Sequence, residues 1–333
     1  MTGLTKVRFG VIGTNWITDS FIRAGRLAEG FELAAVYSRT EPTAAAFAAK
    51  YGIRHTFTEV ERMAASGEID AVYVASPNSL HAEHAIACMR QGVHVLCEKP
   101  LASNAAEVAR MIEASRQSGR TLMEAMKSTL LPNFEAVRTS LAKIGRVRRY
   151  FASYCQYSSR YDSFRQGTVL NAFNPVFSNG ALMDLGVYCL YPAIVLFGKP
   201  QSVKAGGLLL SSGADGEGSM LLGYDELEGV IQYSKISDSS LPSEIQGEDG
   251  TIVIERISQP QRVEIRYRDG RTEDVTVHQE EESMKYEIEE FIRLVRLGKR
   301  ESETNSHARS LAAIEVVDEA RRQIGLHYPA DDR

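Results

Sequence analysis

Apolar positions in the first third of the chain alternate between two periods. Residues 7–12 (VRFGVI) form a short apolar run rich in branched side chains, the pattern of a strand buried on both faces. Helical spacing follows over 16–29 and ends before Gly30. Residues 32–37 read as a second strand, and Pro42 and Gly52 bound a helix over 42–51. The apolar runs 70–75 (DAVYVA) and 93–97 (VHVLC) bracket a helix over 80–91. Asn104 with Glu107 makes a capping-box pair that opens a helix running to Gly119, and 121–125 is one more strand. Apolar strands alternating with helices predict an α/β, doubly wound domain on a parallel sheet, placed over residues 1–125.

The rest of the chain reads differently. A helix over 132–143 and a strand over 146–156 precede a polar, aromatic stretch at 157–179. A helix is expected over 180–197. Several strands then fall within 201–277, separated by turn signals such as Asp249-Gly250 and Asp269-Gly270. Helices over 281–297 and 305–324 close the chain. Strands with few helices between them predict a second domain, 126–333, of α+β type with an antiparallel or mixed sheet and helices on one face.

Composition narrows the class of function. A length of 333 residues suits two domains at roughly 150 residues each. With 44% hydrophobic and 24% charged residues and a net charge of −5, the chain is neither disordered nor endowed with the basic footprint of a nucleic-acid binder. Polar groups interrupt every apolar run before membrane-spanning length, and the N-terminus has no secretory pattern. The four cysteines, Cys88, Cys97, Cys155 and Cys189, contain no CxxC and read as reduced thiols, not a metal site. The expectation is a cytoplasmic protein with a small-molecule partner, without nucleic acid or membrane.

The candidate chemistry lies where strands end. The turn Gly10-Val-Ile-Gly13-Thr14-Asn15-Trp16-Ile-Thr18 sits where a dinucleotide fingerprint belongs, with Gly13, Asn15 and Thr18 in its three glycine slots. Asn tolerates a positive φ if the second slot demands one. One glycine of three is also compatible with a plain strand–helix turn. The second strand ends in Tyr37-Ser38-Arg39-Thr40, with no acid before Glu41. An acid there accepts from the ribose 2′-hydroxyl of NAD, whereas Ser38 and Arg39 suit the 2′-phosphate of NADP. The plain alternative for Arg39 is a surface loop cation. Later strand ends carry Ser76-Pro77-Asn78 with His81, and Glu98-Lys99-Pro100. In an open parallel sheet those ends face the ligand crevice, so these residues are expected to touch cofactor or substrate, with His81 lining the cleft. Read plainly, Glu98 and Lys99 are solvated charges ahead of a helix.

Four segments together resemble the Gfo/Idh/MocA oxidoreductases along nearly the whole chain: FGVIGTNWI, VASPNSLHAEHA, GVHVLCEKPLA and GALMDLGVYCLYPAIVLFG. Tyr188, where inositol-dehydrogenase-like members typically have His, makes the chain most similar to the branch of glucose–fructose oxidoreductase and dihydrodiol dehydrogenase. The resemblance implies an N-terminal Rossmann domain that binds NAD(P) and a C-terminal domain for substrate binding and oligomerisation, with an open-faced sheet. It implies hydride transfer between NAD(P) and a sugar or cyclitol carbon. It also implies Lys99 as the catalytic lysine and Tyr188 as proton donor or acceptor. Asp184, four residues before Tyr188, falls on the same helical face and could orient the substrate hydroxyl. Otherwise Tyr188 is an aromatic packing a buried helix.

The resulting expectation is an NADP(H)-dependent oxidoreductase of a sugar, a scyllo-inositol-like cyclitol or a cyclic diol, with NADP(H) preferred over NAD(H). The alternative is a regulatory protein that binds NADP on the same fold without catalysis. Redox-assisted glycoside cleavage has no positive feature in the sequence. Lys127, in a run that departs from relatives, and Arg165 and Asn174, in the 157–179 stretch, are candidate substrate contacts. A homodimer or homotetramer is expected from the exposed face of the second sheet.

Overall fold

The computed structural model describes residues 6–333. The chain separates into two compact units, residues through Lys127 together with Glu280–His307, and Ser128–Gln279 together with Ala308–Arg333.

In the first unit, strands β1 (Val7–Ile12), β2 (Phe31–Tyr37), β3 (His55–Phe57), β4 (Ala71–Val74), β5 (His94–Glu98) and β6 (Leu122–Ala125) alternate with helices α1 (Trp16–Gly25), α2 (Glu41–Tyr51), α3 (Val60–Ala65), α4 (His81–Arg90) and α5 (Ala105–Ser118). The sheet order is β3-β2-β1-β4-β5-β6, every pair parallel. Both faces carry helices, so β4 is buried at every position. The order reverses between β1 and β4, the point at which open α/β sheets bind ligands.

Local chemistry sets the helix ends. Pro42 opens α2 and Gly52, at φ +72°, stops it in the left-handed region where a Cβ would be strained. The Asn104 side chain accepts from Glu107 N at the start of α5, and the Glu107 carboxylate reaches back to Ser103 N at 3.1 Å. Helix α1 stops at Gly25, earlier than its spacing suggested. There the Phe31 ring lies where a Cβ on Gly25 would be, at 2.7 Å.

The second unit is built on eight strands: β7 (Val147–Cys155), β8 (Ser202–Leu209), β9 (Asp215–Gly223), β10 (Glu228–Ser234), β11 (Ser243–Gly247), β12 (Gly250–Ile254), β13 (Val263–Tyr267) and β14 (Thr272–Asp274). The order β14-β13-β12-β11-β7-β10-β9-β8 is antiparallel except between β7 and β10. Helices α6 (Pro132–Ser140), α7 (Tyr161–Arg165) and α8 (Val187–Phe197) belong to this unit. Segment Pro175–Phe197, with a mean hydropathy of 1.7, is apolar and long enough to cross a membrane, contrary to the reading that every apolar run is interrupted too early. Most of it is buried inside the unit, which makes it a core helix against the sheet.

Helices α9 (Lys285–Arg296) and α10 (His307–Ile324) end the chain. The division differs from the single boundary after residue 125, because Glu280–His307 returns to the first unit. The apolar face of α9 buries Ile288, Phe291, Ile292 and Leu294, and the Phe291 ring lies 5.8 Å from that of Phe9 on β1. An amphipathic pattern shows that a helix needs a partner and is silent on which one.

Candidate active site

At the carboxyl edge of the first sheet, Gly13 has φ +108°, and a Cβ there would stand 2.5 Å from the carbonyl oxygen of Ala75. Only glycine lets β1 turn this close to the end of β4. Thr14 follows it, half-buried. Asn15 does not take the positive φ allowed for it. It is extended (φ −98°, ψ 179°), caps α1 by accepting from Ile17 N at 3.0 Å, and donates to Ala75 O at 3.1 Å. Thr18 fills the third slot fully buried, where α1 packs on the sheet. Trp16 is 65% exposed at the first position of α1. The fingerprint thus keeps glycine where the backbone requires it and replaces it where it does not.

Ser38 and Arg39 follow β2, with Arg39 exposed. The charge of Arg39 acts on the Tyr37 hydroxyl, whose pKa burial raises. Tyr37 stands edge-on to His84 at 5.8 Å, and His84 Nδ1 lies 3.0 Å from Ser76 Oγ. Pro77 and Asn78, half-buried, lead into α4.

His81 does not line a cleft as expected. Its ring is 1% exposed, with Nδ1 3.0 Å from Pro100 O and Nε2 2.9 Å from Ser76 O, so it ties together the loops after β4 and β5. A neutral imidazole can donate to only one of these carbonyls. Burial outweighs the second and pushes the imidazolium pKa down to about 4.

Glu98 is likewise buried, not open to the crevice. It accepts the Tyr73 hydroxyl, and Tyr73 stacks on Phe21 with 3.8 Å between ring centroids. Burial raises the Glu98 pKa against the opposing charges of Lys99 and Lys127. Lys99 is half-buried, and its peptide bond to Pro100 is cis. Lys127 Nζ lies 3.2 Å from Ser283 Oγ, within the first unit. Its charge also opposes the burial that raises the Glu287 pKa well above the carboxylate range. Glu287, on α9, is fully buried and was not anticipated. As a charged residue on an amphipathic helix, it carries no local signal of burial.

In the second unit the helix over 180–197 opens with a π-helical turn, Leu182–Gly186, and continues as α8. The turn is wider than an α-turn, so the four-residue step from Asp184 to Tyr188 crosses a bulge and is not one regular α-helical turn. Asp215 on β9 accepts Leu182 N–H at 2.6 Å, which ties the start of this turn to the sheet. Burial raises the Asp215 pKa to about 6, against the Leu182 N–H bond. Asp184 Oδ2 lies 2.8 Å from Nζ of Lys235, a buried cation that the sequence did not single out. Tyr188 is half-buried, edge-on to Tyr154 at 5.8 Å.

The 157–179 stretch is a folded segment. Rings of Tyr157, Tyr161, Phe164 and Phe173 pack within 5.9 Å of their neighbours. Arg165 is exposed on α7, 3.6 Å from Asp162 Oδ1. Asn174 Oδ1 accepts from Val176 N at 3.0 Å as a short-helix cap. Both candidates thus have local structural partners.

Residues 7–126 match the oxidoreductase family with an NAD-binding Rossmann fold, GFO/IDH/MocA, and residues 135–253 match the GFO/IDH/MocA C-terminal domain. The chain is 58% identical over 325 residues to the scyllo-inositol 2-dehydrogenase (NADP(+)) IolU of Bacillus subtilis, covering 98% of this chain and 99% of that one. It is 31% identical to the trans-1,2-dihydrobenzene-1,2-diol dehydrogenase of Xenopus laevis, covering 97% of this chain and 99% of that one. Among solved structures, the aldose-aldose oxidoreductase of Caulobacter crescentus shares the fold at a TM-score of 0.85 and 20% identity, covering 96% of this chain and 97% of that one. Fingerprint, strand order and relatives agree: the chain belongs to the GFO/IDH/MocA oxidoreductase family.

Proposed function

We propose that the chain is an NADP(H)-dependent oxidoreductase that moves a hydride between the nicotinamide and a hydroxyl or keto carbon of a sugar, cyclic diol or cyclitol, with scyllo-inositol first among candidates. The observation that carries this reading is the 58% identity, over 98% of the chain, to a scyllo-inositol 2-dehydrogenase (NADP(+)).

The residues present fit a dinucleotide. Gly13 lets β1 turn into α1 hard against Ala75 O, as a dinucleotide turn requires, and the backbone N–H groups at the start of α1 suit a pyrophosphate. Ser38 can donate to a 2′-phosphate and exposed Arg39 can pair with it, while no acid ends β2 to repel it. The bound cofactor supplies or accepts the hydride. The chain must handle the accompanying proton, which we assign to Tyr188 Oη. An ordinary tyrosine, with a pKa of about 10, is a poor base at neutral pH. A cation favours tyrosinate, and the likeness to the family makes Lys99 the candidate for that role. Asp184 would accept from a substrate hydroxyl and orient the carbinol. The same reading includes self-association through the second sheet, where Leu208 and Leu221 are exposed on β8 and β9.

The test is oxidation of scyllo-inositol and a panel of polyols with NADP+, followed at the nicotinamide absorbance band, for the native chain and Tyr188→Phe. Turnover with NADP+, reduced about 100-fold or more in Tyr188→Phe while NADPH binding persists, is the expected result. Tight NADPH binding without turnover of any polyol or diol would overturn the enzyme reading and favour a regulatory one.

A further inference from the structure

Lys235 is a buried cation for which the proposed reaction has no use of its own. Its side chain is 4% exposed, and an ammonium so placed is costly unless it is paired and hydrogen-bonded. It meets three groups. Nζ lies 2.8 Å from Asp184 Oδ2, donates to Ala172 O at 3.2 Å, and stands over the Phe173 ring at 5.3 Å from its centroid. Asp215 on β9 is a further carboxyl that feels its charge.

The anchor is rigid. Lys235 directly follows β10, which is held between β7 and β9, and its own N–H bonds Gly216 O at 2.8 Å. The groups it gathers are not otherwise set by regular structure. Asp184 sits in a π-turn, and Ala172 and Phe173 form a single 3-10 turn. The Asp184 side chain remains 40% exposed, so one side of the carboxylate meets a fixed buried charge while the group stays accessible from solvent. A substrate-orienting carboxylate needs this combination: access to the substrate and a direction that does not wander.

We propose that Lys235 is a positioning residue that holds the Asp184 carboxylate aimed and locks the Ala172–Phe173 turn beside it. The inference rests on the reading of Asp184 as the group that orients the substrate hydroxyl. It gives Lys235 an effect on the reaction that runs mainly through Asp184.

The experiment is a double-mutant cycle on the full chain, using scyllo-inositol and NADP+: Lys235→Met, Asp184→Asn and the pair, with Lys235→Arg as the conservative variant. Lys235→Met is expected to lower kcat/KM for scyllo-inositol about tenfold or more, with the Kd for NADPH held within about twofold. Lys235→Arg should recover much of the loss. Adding Lys235→Met to Asp184→Asn should cost little more than Asp184→Asn alone. If Lys235→Met does not fold, Lys235→Gln, which keeps a donor for Ala172 O, carries the same comparison. Losses that multiply in the double variant, or a folded Lys235→Met with unchanged kcat/KM beside a damaged Asp184→Asn, would overturn the proposal while leaving the role of Asp184 standing. An Asp184→Asn enzyme with unchanged kcat/KM would remove that role, and Lys235 with it.

Discussion

Asp215 accepts the backbone N–H of Leu182 at 2.6 Å, and this one bond ties β9 to the start of the helix that carries Asp184 and Tyr188. A Cβ on Gly180 would collide with the same carboxylate, so the approach depends on a glycine two residues before Leu182. Burial raises the Asp215 pKa from 3.8 to about 6. A carboxyl whose pKa rises on folding contributes stability below its unfolded pKa and loses it as pH rises through the folded value. The native protein should therefore lose about 3 kcal/mol from this site in all as pH rises from below 3.8 to above 6, about 2 kcal/mol of it between pH 4 and 6. Asp215→Asn keeps an acceptor and cannot ionise. Its stability relative to the native protein is expected to rise over that window, as chemical denaturation at each pH would show. A flat difference would sink the assignment.

His81 acts in the opposite sense. Burial lowers its pKa from 6.5 to about 4, so its contribution is present above pH 6.5 and lost as pH falls toward 4. The size is about 3 kcal/mol. Between pH 4 and 6 the two sites largely offset one another, so each variant unmasks the other. His81→Gln should become more stable, relative to the native protein, as pH falls through this window.

Arg39→Ala is expected to weaken NADPH binding about tenfold or more and NADH binding much less, since a hydrogen bond to a charged group contributes about 1.5–3 kcal/mol. Fluorescence titration of both cofactors measures this. Equal weakening would defeat the assignment of the 2′-phosphate to this loop.

Gly13→Ala should destabilise the first unit by about 1–3 kcal/mol, because alanine is strained at φ +108° and its methyl would meet Ala75 O. The accompanying loss of cofactor affinity should exceed that of Asn15→Ala, which removes a hydrogen bond to Ala75 O without placing a methyl group against it. Thermal unfolding and NADPH titration of the two variants make the comparison.

Segments whose burial is symmetric were the legible ones. Strands β1, β4 and β5 are apolar on both faces and could be little else, and the Pro42–Gly52 and Asn104–Gly119 pairs mark helix ends by local chemistry. Strand β3 is three half-buried residues, His55–Phe57, at a sheet edge, too short and too polar to announce itself. Strand-end positions of Gly13, Arg39 and Lys99 could be read because topology places such ends at one edge. The partner of Asp184 could not be. Lys235 lies 51 residues away and reaches it only because β10 pairs in parallel with β7, a long-range choice that spacing does not encode. The same limit hid Glu287, whose burial follows from the return of α9 to the first unit.

That return has a consequence for how such a protein can change. Because residues through Lys127 are completed by Glu280–His307, the nucleotide-binding half is not a contiguous cassette. Cutting after Lys127 would remove the helix that brings Phe291 against Phe9 and open an aromatic core to water. Recombination that exchanges an N-terminal half between relatives must also match a segment more than 150 residues downstream, or leave a mismatched seam. Cofactor preference in this architecture is therefore expected to drift by single substitutions in the short loop after β2, not by the import of a ready-made half.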